Sequence, residues 1–484
     1  MAVKPEIKDY EPVFRSQAVQ ADADEVWPSS GKFTSFDDQV AASTSRADEQ
    51  APASTPLLTK TAHWLRQKGH TLTFFCLFLF SIILFLRPYE LFPALSSLTS
   101  MAFFSGLITL IIFAITQLAL EGNLTARPRE INLILLFGVT ALLSIPLAIN
   151  PGEAWTVFSE LLIKAILIFI VIVNVVRSPR RLYWLLLLAL GVSVYLSINA
   201  IQDYRSGLFS FGKDVHENLR IAGRIKGLFE NSNDLALHLV TMVPIAIALA
   251  FAKRGAIRKF VYLPIAVLMI AGIVVTFSRG GFLGLLAVAI VLVIKLGRGN
   301  RFNATAGLVL ALVLFFAVAP GDYAGRLATI FDTASDFTGS STQRNQVLQR
   351  SVLVALRYPL TGVGLGNFHY KSFQELGTHN AYTQVAAEMG IPAMILYMMF
   401  LIYPYKKLKE VEAKTYGQKD ERFYYYLSVG LGASLFGYMV ASFFAAVAYQ
   451  WYMYYLVGYA IAMRRIYAAH AQKKLSDGSN DVAR

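Results

Sequence analysis

Apolar runs of membrane-spanning length recur along most of this chain. They are grouped into blocks rather than spread at amphipathic spacing, and as helices most of these blocks would cross much of a bilayer. Only 15% of the 484 residues are charged, whereas 55% are apolar. A water-soluble protein of this length would carry roughly a quarter charged residues. The chain is therefore predicted to be an all-α polytopic membrane protein.

The apolar runs predict about twelve transmembrane helices. The predicted spans cover residues 72–86, 95–120, 131–149, 154–176, 182–200, 234–252, 260–277, 282–294, 302–319, 381–404, 425–446 and 452–463. Short basic clusters fall on every second connection, which is typical of cytoplasmic loops. The net charge of +13 thus reflects membrane topology, and no nucleic-acid partner is expected. By the same rule both termini are cytoplasmic, and the polar connections 201–233, 278–281 and 320–380 are extracytoplasmic.

Hydropathy divides the chain into five segments. These are a disordered cytoplasmic tail (1–70), N-terminal transmembrane helices (71–319), a large periplasmic loop (320–380), C-terminal transmembrane helices (381–466) and a second cytoplasmic tail (467–484). The first tail lacks the apolar core of a cleavable signal peptide, and it has too little apolar surface to bury in a folded domain. The single cysteine, Cys76, excludes an intrachain disulfide.

Residues 378–404, THNAYTQVAAEMGIPAMILYMMFLIYP, join polar groups to an apolar helix. Asn380 suits the N-cap position, so His379 is predicted to lie just before the first turn, beside the positive end of the helix dipole. An imidazole there is either a surface group or a base for a sugar hydroxyl. Glu388 follows about two turns later. A carboxyl group at this depth is either functional or hydrogen-bonded to a neighbouring helix.

Arginines in the extracytoplasmic connections run against the topological bias and need another explanation. Arg279 precedes two glycines, which leave the backbone open for close approach. Its guanidinium either binds the phosphates of a lipid-linked donor as a planar fork or pairs with a loop carboxylate. Arg220 and Arg224 precede the capping residues 231–234 and are either ligands or solvated charges.

Two further patterns are predicted to be structural. Glu160 and Lys164 are spaced i, i+4 in the order that favours an ion pair. The aromatic run at 449–455 is predicted to form an interfacial belt, the alternative being a surface that stacks on sugars.

Four short stretches together resemble the O-antigen ligase and polymerase family of bacterial membrane glycosyltransferases. They are GLFENSNDLAL (227–237), TFSRGGFLGLL (276–286), YPLTGVGLGNF (358–368) and HNAYTQVAAEMG (379–390). Their order and their placement relative to the spans carry the resemblance, which covers roughly residues 72–466. Ser232 stands where proline is usual in the family's corresponding segment.

The resemblance implies a metal-independent enzyme without a cofactor and with a fold of the broad C type of glycosyltransferases. Such enzymes move a glycan from an undecaprenyl diphosphate carrier to an acceptor hydroxyl, on the periplasmic side of the bacterial inner membrane. The acceptor would be lipid A core or a growing polysaccharide. Ligation, polymerisation and transfer to protein share this donor chemistry.

Residue by residue, the resemblance assigns roles to the motif positions. His379 would be the catalytic base. Arg279 and Arg224 would bind the donor diphosphate, with Arg220 and Arg344 as further basic positions. The supporting residues would be Asn380, Tyr382 and Glu388.

A polytopic transporter or flippase of polysaccharide precursors is the alternative. A secondary transporter would be expected to show two similar halves and a polar site near the midplane of the membrane. The sequence shows no obvious internal repeat, and its polar residues gather at one face. Release of undecaprenyl diphosphate from a lipid-linked glycan distinguishes the two, because a transporter leaves the donor intact.

Overall fold

A computed structural model describes residues 56–91, 100–208, 221, 223, 229, 231–299, 302, 305 and 340–482. Within these ranges the chain is helical and contains no strand. The helices are α1 (Pro56–Leu86), α2 (Pro88–Leu91), α3 (Met101–Glu121), α4 (Arg129–Ser144), α5 (Pro151–Val157), α6 (Ile163–Val175), α7 (Pro179–Arg205), α8 (Ser232–Phe251), α9 (Ala256–Val275), α10 (Arg279–Leu296), α11 (Ser340–Arg357), α12 (Ala381–Met389), α13 (Ile391–Thr415), α14 (Arg422–Ala441) and α15 (Trp451–Val482). The predicted all-α architecture is confirmed.

Eight helical stretches in the described part of the chain are long and apolar enough to cross a membrane. They are Gly69–Glu90, Met101–Glu121, Pro151–Val175, Pro179–Arg205, Ser232–Phe251, Ala256–Val275, Arg279–Leu296 and Arg422–Phe444. Each coincides with a predicted span. Three further predicted spans coincide with α4, with α12 and α13 together, and with the first half of α15. The predicted span at 302–319 lies almost entirely outside the described residues.

Several helix ends differ from the predicted segment boundaries. The first helix begins at Pro56, inside the segment predicted as a disordered tail. The last continues to Val482, through most of the predicted C-terminal tail. A helix of 18 residues, α11, lies within the predicted periplasmic loop. Hydropathy marks the part of a helix that lies in the membrane, whereas helix formers such as Ala, Gln, Lys and Leu extend the helix beyond it.

The apolar helix predicted at 381–404 is interrupted, and the prediction of one continuous helix there was wrong. Gly390 separates α12 from α13 with a backbone φ of 90°. Ile391 donates its N–H to the Pro359 carbonyl oxygen at 2.7 Å. Pro392 lies in the first turn of α13, where its missing N–H costs nothing, and does not kink a continuous helix. The segment that follows the HN motif is therefore a short, separate helix.

The helix α14 lies at the centre of the C-terminal half, in contact with α8, α10, α13 and α15. Small residues allow these helices to approach closely, as is common in membrane proteins. A Cβ atom on Gly437 of α14 would lie 2.4 Å from Val288 of α10. A Cβ atom on Gly284 of α10 would lie 2.8 Å from Ala441. The predicted Glu160–Lys164 ion pair is also present, at the π-helical turn between α5 and α6.

Candidate active site

Hydrogen bonds join the starts of α8 and α10. The Ser278 hydroxyl oxygen caps α10 by accepting from the Gly281 N–H at 3.1 Å, and its proton is donated to Asn233 Oδ1 at 2.8 Å. Asn231 caps α8 by accepting from the Asn233 N–H at 2.8 Å. The motifs at 227–237 and 276–286 are thus bonded to each other, and two helix N-termini lie side by side.

The two glycines after Arg279 pack the first turn of α10 against protein. A Cβ atom on Gly280 would lie 2.7 Å from Phe444 Cβ, and one on Gly281 would lie 2.7 Å from Ala236 Cβ. The sequence predicted a backbone open to close approach here, and in the structure the groups that approach these glycines are Phe444 and α8. Arg279, which is partly exposed, therefore lies where α8, α10 and the turn 442–444 meet.

The HN motif forms the capped start of α12. Asn380 Oδ1 accepts from the N–H groups of Tyr382 and Thr383 at 2.9 and 3.0 Å, which confirms the predicted N-cap. His379 precedes the cap, is partly exposed and has a φ of 51°. This left-handed conformation is uncommon for a residue with a Cβ atom, and strained residues of this kind concentrate at functional sites.

The start of α12 is docked on the end of α14. The Tyr382 hydroxyl donates to the Met439 carbonyl oxygen at 2.7 Å, and the Ser442 hydroxyl donates to Tyr382 Oη at 3.3 Å. Ser442 and Phe444 belong to one short turn, and Phe444 is the residue packed on Gly280. This turn therefore contacts the starts of both α10 and α12. The structure accordingly brings Arg279 and His379 to one end of the helix bundle.

Glu388 is a buried anchor for the glycine-rich stretch. Its side chain is 4% exposed, and its Oε2 accepts from the Tyr449 hydroxyl at 2.8 Å. Backbone groups of Gly366 and Phe368 lie beside its carboxyl group. Of the two interpretations open for Glu388, the structure agrees with a carboxyl group hydrogen-bonded to its neighbours.

The glycine-rich stretch itself satisfies the carbonyl groups at the end of α12. Val363 and Gly364 donate their N–H groups to the carbonyl oxygens of Ala387 and Glu388, each at 2.9 Å. Gly362 has a φ of 64°, and a Cβ atom on it would lie 2.3 Å from the Glu388 carbonyl carbon. The last carbonyl groups of a helix need hydrogen-bond partners outside it. The motif YPLTGVGLGNF supplies these partners to the end of α12.

Arg344 lies on α11, which packs beside α12. Val347 and Val354 of α11 form a small apolar cluster with Val363, Phe368 and Ala387. Arg344 is partly exposed and lies three residues before Val347, on the same helical face. Arg344 therefore lies beside the apolar cluster through which α11 packs against α12.

Arg220 and Arg224 lie outside the described residues, although some of their neighbours are described. Gly223 donates its N–H to the Phe229 carbonyl oxygen at 2.7 Å, and a Cβ atom on Gly223 would lie 2.6 Å from that oxygen. The Phe229 ring is buried 4.7 Å from the His238 ring of α8. Residues on both sides of Arg224 are therefore anchored ahead of α8.

The aromatic run at 449–455 is buried, so the predicted interfacial belt was wrong. Tyr449, Tyr452, Tyr454 and Tyr455 are each at most 4% exposed. These rings cannot stack on sugars either, because they pack inside the helix bundle. Burial follows from the contacts of α15 with α6, α13 and α14, and tyrosine content alone does not distinguish a membrane interface from a core.

A buried polar group that was not predicted from the sequence lies next to this site. His238 is 2% exposed, and its Nε2 lies 3.1 Å from the Ser193 hydroxyl. Its ring lies 5.7 Å from the ring of Tyr452. His238 follows Asp234 by four residues within one predicted span, so the two polar side chains share a helix face. That pattern could have indicated a buried polar group.

Comparison with known proteins gives one positive finding. No curated protein matches the chain. Residues 264–398 match the family described as O-antigen ligase (Wzy_C), a segment that contains Arg279, Arg344, His379 and Glu388 but neither Arg220 nor Arg224. This match supports the resemblance that the four motifs predicted. The chain is thus a multi-pass membrane protein whose residues 264–398 are similar to the O-antigen ligase family.

Proposed function

We propose that this protein is an inner-membrane glycosyltransferase of the O-antigen ligase and polymerase type. It transfers a glycan from an undecaprenyl diphosphate carrier to an acceptor hydroxyl at the periplasmic face, the acceptor being lipid A core or a growing polysaccharide. The similarity to the O-antigen ligase family supports the class of reaction. The observation that carries the proposal is the meeting of the starts of α8, α10 and α12 at one end of the bundle.

The donor diphosphate is the group that this arrangement suits. Helix N-termini present unpaired N–H groups and a partial positive charge, so three of them together favour an anion. Arg279 adds a guanidinium group at the start of α10. In the proposal Arg224, Arg220 and Arg344 complete the diphosphate site. These cations offset the charge that builds on the leaving diphosphate, without a metal ion.

The acceptor is activated by His379. Its imidazole takes the proton of an acceptor hydroxyl, and the hydroxyl oxygen attacks the anomeric carbon. The bond from that carbon to the diphosphate oxygen breaks with inversion, and undecaprenyl diphosphate leaves. Asn380 holds the turn that carries His379, whereas Tyr382 and Glu388 fix the two ends of α12.

The charge distribution supports a periplasmic site. The end of the bundle away from the candidate site carries Lys295 and Arg298 at the end of α10, Arg422 at the start of α14, and Arg464 within α15. Lys295 and Arg298 both pair with Glu412, at 2.8 and 3.0 Å. Cytoplasmic connections carry an excess of lysine and arginine, so this basic end is assigned to the cytoplasm.

The test uses the purified full-length protein in lipid nanodiscs with an undecaprenyl diphosphate-linked glycan. Both the release of undecaprenyl diphosphate and the transfer of the glycan are measured. His379→Asn is the most informative variant, because asparagine tolerates a positive φ and cannot act as the base. Loss of the base should slow transfer about 10²–10⁴-fold.

His369→Ala is the matched control. His369 is also a partly exposed histidine of the extracytoplasmic region, and its Nε2 lies 3.8 Å from Glu153 Oε1. It should leave the transfer rate close to that of the unaltered protein. Full transfer by His379→Asn protein would remove His379 from the mechanism. A donor that crosses the bilayer intact would identify a transporter instead.

A further inference from the structure

A cleft of about 320 Å³ opens between α13 and α15 at the end of the bundle away from the candidate active site. The helix α14 starts at this end with Arg422 and reaches the candidate site at Ala441. Its 20 residues rise 1.5 Å each, so the two ends are separated by roughly 30 Å, about the thickness of the hydrocarbon core. The cleft is therefore separate from the glycosyl-transfer site.

Cations surround the cleft, and described carboxylates neutralise only some of them. Lys407, Lys414 and Arg464 line it. Lys407 pairs with Glu410 at 3.0 Å, and Arg464 pairs with the fully buried Glu130 at 2.8 Å. Lys414 has no ion pair among the described residues. The lining thus keeps a net positive charge that an anion can balance.

Two of these cations, Lys407 and Arg464, are held in place by neighbouring side chains. The Lys407 ammonium and the Arg464 guanidinium lie over the ring of Tyr403, at 5.7 and 5.9 Å from its centre. Arg464 also makes two hydrogen bonds to Glu130, at 2.8 and 3.2 Å. A cation–π contact and a bidentate ion pair restrict these side chains. They therefore lose less conformational entropy when they bind a ligand.

The other residues that line the cleft are mostly apolar, apart from Glu410 and Gln472. Tyr467, Ala468, Ala471 and Leu475 of α15 line it, and Leu475 is 76% exposed. Lys407 and Arg464 lie just beyond the spans predicted to end at residues 404 and 463, which places these cations at the level of lipid headgroups. Basic pockets between transmembrane helices bind anionic headgroups in this way.

We propose that this cleft binds an anionic phospholipid of the leaflet opposite the candidate active site. The phosphate contacts Lys407, Lys414 and Arg464, and the acyl chains extend from there toward the membrane spans predicted to end at residues 404 and 463. The proposal does not depend on glycosyl transfer, because no residue of the candidate active site takes part.

The test is a titration of the full-length protein in detergent with phosphatidylglycerol, with bound lipid counted by native mass spectrometry. Phosphatidylcholine with the same acyl chains and water-soluble glycerol phosphate are the comparison ligands. We expect binding of phosphatidylglycerol, little binding of phosphatidylcholine and no displacement by glycerol phosphate. The double variant Lys407→Gln/Lys414→Gln should bind phosphatidylglycerol about 30-fold more weakly, since each lysine near a membrane surface contributes about 5-fold.

Lys419→Gln/Lys473→Gln is the matched control, because it removes two exposed lysines of the same end of the bundle that do not line the cleft. It should bind phosphatidylglycerol as the unaltered protein does, and Lys407→Arg/Lys414→Arg should retain binding. Equal losses in the two glutamine variants would show diffuse surface attraction and overturn the proposal. So would equal binding of phosphatidylcholine, or displacement of the lipid by glycerol phosphate.

Discussion

The packing of Gly281 against α8 gives a quantitative test of whether the helix starts must meet for activity. Gly281 lies in the first turn of α10, and a Cβ atom there would lie 2.7 Å from Ala236 Cβ. Carbon atoms in good contact are about 3.5–4.0 Å apart. Gly281→Ala therefore forces α10 and α8 apart by roughly 1 Å. Arg279 at the start of α10 would move by the same distance from the motif at the start of α8.

The expected effects on stability and on rate differ in size. Overpacking of this kind lowers the free energy of unfolding by about 1–3 kcal/mol. A displacement of about 1 Å in a catalytic group costs about 10²-fold in rate. We therefore expect Gly281→Ala protein to fold and enter the membrane, with transfer reduced about 100-fold in the nanodisc assay. Thermal unfolding and the transfer rate are measured on the same preparations.

Compensation and a control make the test specific. Ala236→Gly removes the opposing Cβ atom, so the double variant Gly281→Ala/Ala236→Gly should recover most of the lost rate. Gly191→Ala, in α7, is the control, because no atom lies within 4 Å of its added Cβ. It should leave the rate unchanged, with a small gain in stability from helix propensity. A wild-type rate in Gly281→Ala, or a folded double variant without recovery, would show that transfer does not depend on the contact between α8 and α10.

Three further predictions concern single side chains of the site. Arg279→Lys keeps the charge but loses the planar guanidinium group, so the transfer rate should fall roughly 10- to 100-fold at unchanged protein level. An unaltered transfer rate in nanodiscs would exclude a phosphate contact. Ser278→Ala removes a helix cap and a bond to the buried Asn233, so the free energy of unfolding should fall by about 1–3 kcal/mol; equal thermal stability would contradict the bond. Glu388→Gln alters the buried group that accepts from the Tyr449 hydroxyl, which should lower stability by about 1–3 kcal/mol without moving the pH profile of transfer. A displaced profile would instead indicate a catalytic carboxyl group.

The sequence predicted the helices well because each apolar run is an independent, local signal. It predicted their ends less well, because α1 and α15 continue with residues that favour helix outside the membrane. The division at Gly390 had a local signal, since glycine followed two residues later by proline commonly marks a helix boundary. The apolar character of residues 381–404 as a whole nevertheless led to the prediction of one continuous helix.

The residues of the candidate site could be proposed from the sequence, but their connections could not. The bond between Ser278 and Asn233 joins residues 45 positions apart, and the bond between Tyr449 and Glu388 joins residues 61 positions apart. Such pairs depend on which helices become neighbours, and spacing along the chain carries no information on that. The prediction of an interfacial belt at 449–455 failed for the same reason, because the run is buried.

The interruption at Gly390 and the glycine-rich stretch explain how a short helix can present His379 within a membrane protein. Irregular backbone at membrane depth is tolerated only where protein or water satisfies its polar groups. Here the carbonyl groups at the end of α12 receive N–H groups from Val363 and Gly364, and Ile391 donates to Pro359. The other end is held by Tyr382 on α14. Anchored at both ends, α12 is oriented independently of α13, so its N-terminus can face an anionic group as the interrupted helices of transporters do.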